Sequence, residues 1–112
     1  MRQREIWVVN LDPTIGTEIK RTRPCVIVND DTVGVLPLKI IVPITDYKDK
    51  FKDVPWMVTL TPGHENGLDK KSVIDLFQVL SVVAERLVKR VGMIGTDQMF
   101  SVKAALKVVF GS

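Results

Sequence analysis

Short apolar runs, interrupted every few residues by turn-forming or charged clusters, fill most of the chain. Ile6-Trp7-Val8-Val9-Asn10-Leu11 is the first such run and predicts a strand closed by Asp12-Pro13. Thr14 to Thr22 is mostly polar and predicts a loop long enough to move, with Gly16 as its hinge. Cys25 to Val28 predicts a second strand, ended by the turn residues Asn29-Asp30-Asp31. Lys39 to Ile44 predicts a third, and Pro43 points to an edge strand or a bulge because proline has no N–H for a ladder.

Asp46 to Asp53, DYKDKFKD, has too few apolar residues for a packed strand and predicts a solvated turn or a short helix. Val54 to Thr61 alternates well enough for a fourth strand. After the turn TPGHENGLDKK, Ser72 to Val83 predicts one long or two short strands. Ala84 to Leu87 predicts a helical turn, and Val88 to Ile94 a returning strand.

Only the C-terminus repeats at helical spacing. Met99, Val102, Leu106, Val109 and Phe110 form one stripe meant for a core. Thr96 is the expected N-cap, Asp97 suits the positive end of the helix dipole, and Gly111 is the expected stop. Many short strands and one terminal helix predict an α+β fold, mostly β: a small, strongly bent barrel or paired sheets with a C-terminal α-helix.

Length and composition narrow the picture further. The 112 residues suit a single domain spanning 1–112, and 46% apolar residues suit a folded core. No apolar run approaches the ~20 residues that span a bilayer. The start of the chain leads into a strand pattern rather than an apolar signal core, so a cytoplasmic protein with no membrane association is expected. The net charge of +3 and pI near 9.2 are compatible with a polyanion partner without requiring one. The single cysteine, Cys25, excludes an internal disulfide and a cysteine-cluster metal site, and its apolar strand predicts a buried, inert thiol. His64 is the only histidine and lies in the turn PGHENG, which predicts a solvated residue and leaves no histidine metal cluster. No phosphate-binding glycine loop or nucleophile elbow is present. Any enzyme built from this chain is expected to work without metal, cofactor or histidine base.

The stretch Thr22-Arg23-Pro24-Cys25-Val26-Ile27-Val28-Asn29-Asp30 places a permanent cation at the mouth of an apolar strand. Pro24 holds Arg23 extended, and the guanidinium offers a planar fork of donors matched to phosphate or carboxylate. On pattern alone, an ion pair with Glu18 or an aspartate and an anion site both remain open. Glu18, Lys20 and Arg21 crowd the approach to this strand, and Thr45 ends the run LKIIVPIT. Neighbouring hairpin strands are able to bring Arg23 and Thr45 onto one surface.

The run WVVNLDPTIGTEIKRTRPCVIVNDD resembles the opening of the MazF/PemK family of toxin endoribonucleases. The likeness rests on Asn10-Leu11-Asp12-Pro13, Gly16-Thr17-Glu18, Arg23-Pro24 and Asn29-Asp30, and continues through Val42 to Thr45, Glu65 to Leu68 and Ser72-Val73-Ile74. The resemblance implies an SH3-like barrel of the CcdB/MazF type and metal-independent cleavage of single-stranded mRNA at short sequences. It implies Arg23 as the donor that stabilises the phosphorane and Thr45 as a second donor to a phosphoryl oxygen. It makes Glu18 a base or a base-edge reader. It also implies a homodimer whose groove Lys20, Arg21 and Lys48 line, a substrate contact at Gln78, and a cognate MazE/PemI-like antitoxin with an acidic tail. Many family members carry an arginine and an aspartate where this chain has Leu80 and Val83, and some have polar residues at Asp75 and Phe77. Two rival functions stand beside this one: a CcdB-like toxin that binds DNA gyrase without cutting, and an SH3-like peptide-binding module. The first needs no Arg23 and Thr45 pair, and 6% aromatic content gives the second a thin groove.

Overall fold

Alternate side chains of the central strands enter two different cores, which is why their sequences are apolar at nearly every position. The structure, a computed structural model, describes residues 1–11, 22–34 and 37–112. Seven strands follow in order: β1 (Glu5–Asn10), β2 (Thr22–Ile27), β3 (Leu38–Asp46), β4 (Met57–Leu60), β5 (Ser72–Asp75), β6 (Leu80–Val83) and β7 (Leu87–Met93). One helix, α1 (Thr96–Phe110), closes the chain, and 3-10 turns occupy Asp49–Phe51, Leu76–Gln78 and Ala84–Arg86. The strands form one sheet in the order β4-β5-β3-β2-β1-β7, with β6 also on β3, and each pair is antiparallel. The expected α+β, mostly-β architecture with a terminal helix is what forms.

Val26 and Val28 of the second-strand region, with Ile6, Val42, Ile44, Leu60, Ile74 and Leu76, meet Met99, Val102 and Ala105 of α1 in the larger core. Cys25, Ile27, Val9 and Ile41 point the other way, into a smaller core closed by Val82 and Leu87. Trp7 packs on this second core, half-buried.

Several expectations shift in detail. β2 begins at Thr22, so Arg23 and Pro24 lie inside the strand rather than before it. Antiparallel pairing with β1, from Ile6↔Val26 to Asn10↔Thr22, extends it. β3 is an interior strand, so Pro43 lies neither on an edge nor at a bulge in the β2–β3 pairing. On the side away from β2, β3 pairs with β6 through Leu38 to Ile41 and with β5 from Ile44 onward. Pro43 falls at the hand-over between these partners, where the ladder is already interrupted, so a residue without an N–H is tolerated. The fourth strand contracts to Met57–Leu60, and Ser72 to Val83 becomes two short strands around a 3-10 turn.

The helix N-cap is Gly95, not Thr96. Gln98 explains the difference: its Oε1 accepts the Gly95 N–H at 2.6 Å, so the helix is closed by a side chain three residues inside it. Gly111 ends the helix in the left-handed conformation at φ 75°, as expected for a glycine stop. The Glu65–Leu68 turn docks backbone to backbone on β7. Gly67, at φ 69°, lies so close that an added Cβ would sit 2.4 Å from the Val91 carbonyl oxygen. The Met93 N–H donates to the Glu65 carbonyl at 3.0 Å across the same junction. The predicted loop from Thr14, with its Gly16 hinge, lies outside the described residues.

The buried Glu5 fixes β1 to its surroundings. Its carboxylate accepts the Arg2 N–H at 3.0 Å and the Trp7 Nε1–H at 2.9 Å, and faces the Arg90 Nε at 3.4 Å. Burial pushes its pKa up, but the Trp7 and Arg2 hydrogen bonds and the nearby positive charges overcome this and hold it below the ordinary 4.5. A carboxylate lowered in the folded state stabilises fully above its unfolded value and loses that contribution as pH falls through its folded value. Urea denaturation from about pH 6 to about pH 3 is therefore expected to show a smaller loss of stability in Glu5→Gln than in the parent, and Glu5→Gln is expected to be the less stable protein at neutral pH.

Candidate active site

Two prolines decide where β2 and β3 stop pairing. The ladder runs Ile27↔Ile41, Val26↔Val42 and Cys25↔Pro43, and goes no further. Pro43 and Pro24 stand at its end, and neither has an N–H to give. The same register carried two residues on sets Arg23 of β2 across from Thr45 of β3. Side chains two apart on a strand share a face, so both lie on the Cys25 face, beyond the small core. Facing positions on antiparallel strands hold their Cβ atoms roughly 5 Å apart, and the end of the ladder lets them spread.

Arg23 is exposed, and among the described residues no carboxylate lies within ion-pair distance of it. Thr45 is half-buried, held by pairing with Val73 of β5. Its hydroxyl makes no hydrogen bond to another described residue. A cation and a hydroxyl, neither bound to a partner among the described residues, thus share one face at the end of the ladder. Beneath them Cys25 is fully buried, and burial pushes its thiol up to about 12 although the Arg23 charge pulls it down. Its Sγ lies 3.6 Å from the Arg23 carbonyl oxygen. Cys25 is floor, not nucleophile.

Lys48 is exposed three residues past Thr45, at the start of a 3-10 turn. Pairing of Asp46 with Ser72 brings two further cations to this end of β3, which the sequence did not mark out. Lys71 Nζ lies 4.0 Å from the Tyr47 ring centroid, and Lys70 Nζ 4.0 Å from Asp46 Oδ2. A doublet of lysines in a polar turn carries no sign of its neighbours, and only the β3–β5 register reveals them. Gln78 is exposed and anchored: its Nε2 donates to Asp75 Oδ2 at 2.9 Å, while Asp75 Oδ1 accepts the Phe77 N–H at 3.1 Å. Asp75 itself is buried, and sequence reading missed its role as the clamp that aims Gln78. Leu80 and Val83 are exposed on β6, and Leu38, the register partner of Val83, is exposed beside them. Ser81, exposed between them, is the one polar side chain of β6. Glu18, Lys20 and Arg21 lie outside the described residues. His64 is exposed in its turn, as expected.

The family model described as PemK-like, MazF-like toxin of type II toxin-antitoxin system matches residues 2–110. The chain belongs to this family. Endoribonuclease MazF9 of Mycobacterium tuberculosis (strain ATCC 25618 / H37Rv) is 30% identical over 114 residues, covering 96% of this chain and 94% of that protein. Endoribonuclease MazF of Staphylococcus epidermidis is 31% identical over 112 residues, covering 99% and 92%. Among solved structures, an endoribonuclease in complex with its cognate antitoxin from Mycobacterial species superposes with a TM-score of 0.78 at 14% identity, covering 99% of this chain and 95% of that one. That likeness concerns the fold. For this MazF-like toxin fold, the notch between β2 and β3 is the candidate active site.

The burial of Cys25 yields a direct check. At pH 8 the native protein is expected to resist iodoacetamide, whereas urea-unfolded protein reacts within minutes, because only unfolding returns the thiol to its ordinary range. Mass spectrometry of the alkylated chain reads the difference.

Proposed function

We propose that this protein is the toxin of a toxin–antitoxin pair and cuts single-stranded RNA within the cytoplasm at short specific sequences, with Arg23 and Thr45 as catalytic residues. The observation that carries the reading is the shared face of a guanidinium and a hydroxyl, neither committed to a described partner, at the end of one ladder. Membership in the PemK-like, MazF-like family supports it. The named relatives, both endoribonucleases, support it too.

The chemistry follows from what these groups can do. The 2′-hydroxyl gives up its proton to a base and attacks the adjacent phosphorus; the 2′-O–P bond forms as the P–5′-O bond breaks, and the 5′-oxygen takes up a proton as it leaves, so no net proton is gained or lost. Negative charge gathers on the phosphoryl oxygens in the transition state, and fixed donors aimed there are the strongest lever an enzyme has. Arg23 supplies a two-pronged donor that stays charged at any working pH. It does not accept a proton, so its part is to stabilise the phosphorane and help the leaving oxygen. Thr45 gives its hydroxyl to a phosphoryl oxygen. Pro24 fixes the Arg23 backbone before substrate arrives, so little ordering falls on the reaction itself.

RNA is taken as an unpaired strand, since its base edges are then open. Lys48 and, outside the described residues, Lys20 and Arg21 hold its backbone in a groove that two copies of the chain share. Gln78 and Glu18 contact the bases. The inhibitor is an antitoxin with an acidic segment, a partner suited to a chain of net charge +3. A mycobacterial structural relative was solved with its cognate antitoxin, which supports such a partner here.

The test is incubation of the purified protein with a long single-stranded transcript in EDTA. Site-limited cuts are expected, falling at least about a hundredfold in Arg23→Ala and in Thr45→Ala with the fold intact. Intact RNA together with gyrase inhibition would instead establish the non-cutting rival. The logarithm of the binding constant of the Arg23→Ala protein for the same RNA is expected to fall linearly with the logarithm of salt concentration as phosphate contacts release counterions; a flat salt profile counts against the basic groove.

A further inference from the structure

The most exposed aromatic surface next to the notch is a pair of rings that the chemistry above does not use. Phe77 is 71% exposed and Trp56 36%, their ring centroids 6.3 Å apart and their planes tilted by 51°. Both rings ride on anchored backbone. The Leu76 N–H donates to the Trp56 carbonyl at 3.0 Å, and Asp75 holds the Phe77 N–H and the Gln78 side-chain amide on its two oxygens. A rigidly mounted, solvent-facing aromatic pair leaves apolar area unburied and invites a partner.

Its position favours one partner. Thr45 pairs with Val73, so Asp75 lies one strand over and two residues along. With strands ~4.8 Å apart and a rise of ~3.3 Å per residue, that is about 8 Å from Thr45 along the backbone grid. Phe77 follows two residues later. A strand whose phosphate sits at Arg23 and Thr45 and which runs across β5 would bring a base one or two nucleotides along to the rings. Gln78 beside them offers a donor and an acceptor to a base edge, which an apolar protein contact would have to desolvate. The lysines at positions 48, 70 and 71 lie on the other side of Thr45 from the rings, around the Asp46 end of β3, so a sugar-phosphate backbone that runs from them past Thr45 continues toward the rings.

We propose that Trp56 and Phe77 form a stacking platform for one unpaired nucleobase of the bound RNA, with Gln78 reading its edge. The proposal rests on the ribonuclease reading and adds to it a named base subsite. Aromatic stacking accepts any base, so the rings supply affinity while Gln78 supplies preference.

The test uses the full-length protein and a 2′-O-methyl oligonucleotide spanning a mapped cut site, which binds but lacks the attacking hydroxyl. Abasic residues are placed at each position in turn. The wild-type protein is expected to lose about tenfold in affinity at one position. Phe77→Leu is expected to bind the intact oligonucleotide about tenfold more weakly and to be indifferent to that same abasic site, whereas Phe77→Tyr keeps the wild-type pattern. On cleavable RNA, Phe77→Leu raises KM and leaves kcat within about twofold, the mark of binding lost equally in ground and transition states. Because Phe77 is largely exposed, an unchanged Tm confirms that these variants fold. Wild-type cutting combined with unchanged affinity and abasic profile in Phe77→Leu overturns the platform alone. If Phe77→Leu disturbs self-association and leaves RNA binding intact, the rings belong to a protein contact and the platform is equally overturned. Absence of any RNA binding or cutting by the wild type removes the ribonuclease reading itself, so the two failures are told apart.

Discussion

The register between β2 and β3 is the constraint on which the functional geometry depends. Cys25 opposite Pro43 is the last pair of that ladder, and a slip of one residue would send Arg23 to the opposite face of the sheet from Thr45. The register is strongly specified because both faces of these strands are buried: Val26 and Val42 lie in the larger core while Cys25 and Ile41 lie in the smaller. Slippage would drive side chains of the wrong size into both cores at once. The fold thus fixes the relation of a cation and a hydroxyl through apolar residues that take no part in chemistry.

Proline works at this site in two ways. Pro24 restricts Arg23 to extended backbone, and with Pro43 it removes the donors that would carry the ladder across the notch. The β2–β3 ladder thus ends beside Arg23 and Thr45, while the small core below stays packed. The fully buried thiol of Cys25 is part of this floor. Its high pKa keeps a potentially reactive group neutral beneath a permanently charged guanidinium.

β3 has a second organising role. It serves β6 with its first half and β5 with its second, and so carries the influence of both wings to Thr45. Through β5 it sets Asp75, and Asp75 sets Gln78 and the backbone of Phe77. Through β6 it meets Leu80 and Val83, which are exposed and apolar. Among the described residues, the β5 side supplies the hydrogen-bonded polar pair Asp75 and Gln78.

The residue pattern alone was enough for the succession of short strands, the terminal helix with its glycine stop, the inert thiol and the solvated histidine, because each follows from local periodicity and side-chain chemistry. Arg23 and Thr45 stood out as a candidate pair through their motif context. What local pattern does not encode is which strands meet. Pro43 reads as an edge residue in isolation, and only partner exchange along β3 makes it an interior one. Thr96 reads as a cap, yet the Gln98 side chain closes the helix onto Gly95. Lys70, Lys71, Asp75 and the Trp56–Phe77 pair gained their meaning only from the β3–β5 and β4–β5 registers. Those registers are set by long-range burial on two faces, an interaction between residues far apart in the chain, and tertiary structure alone decides it.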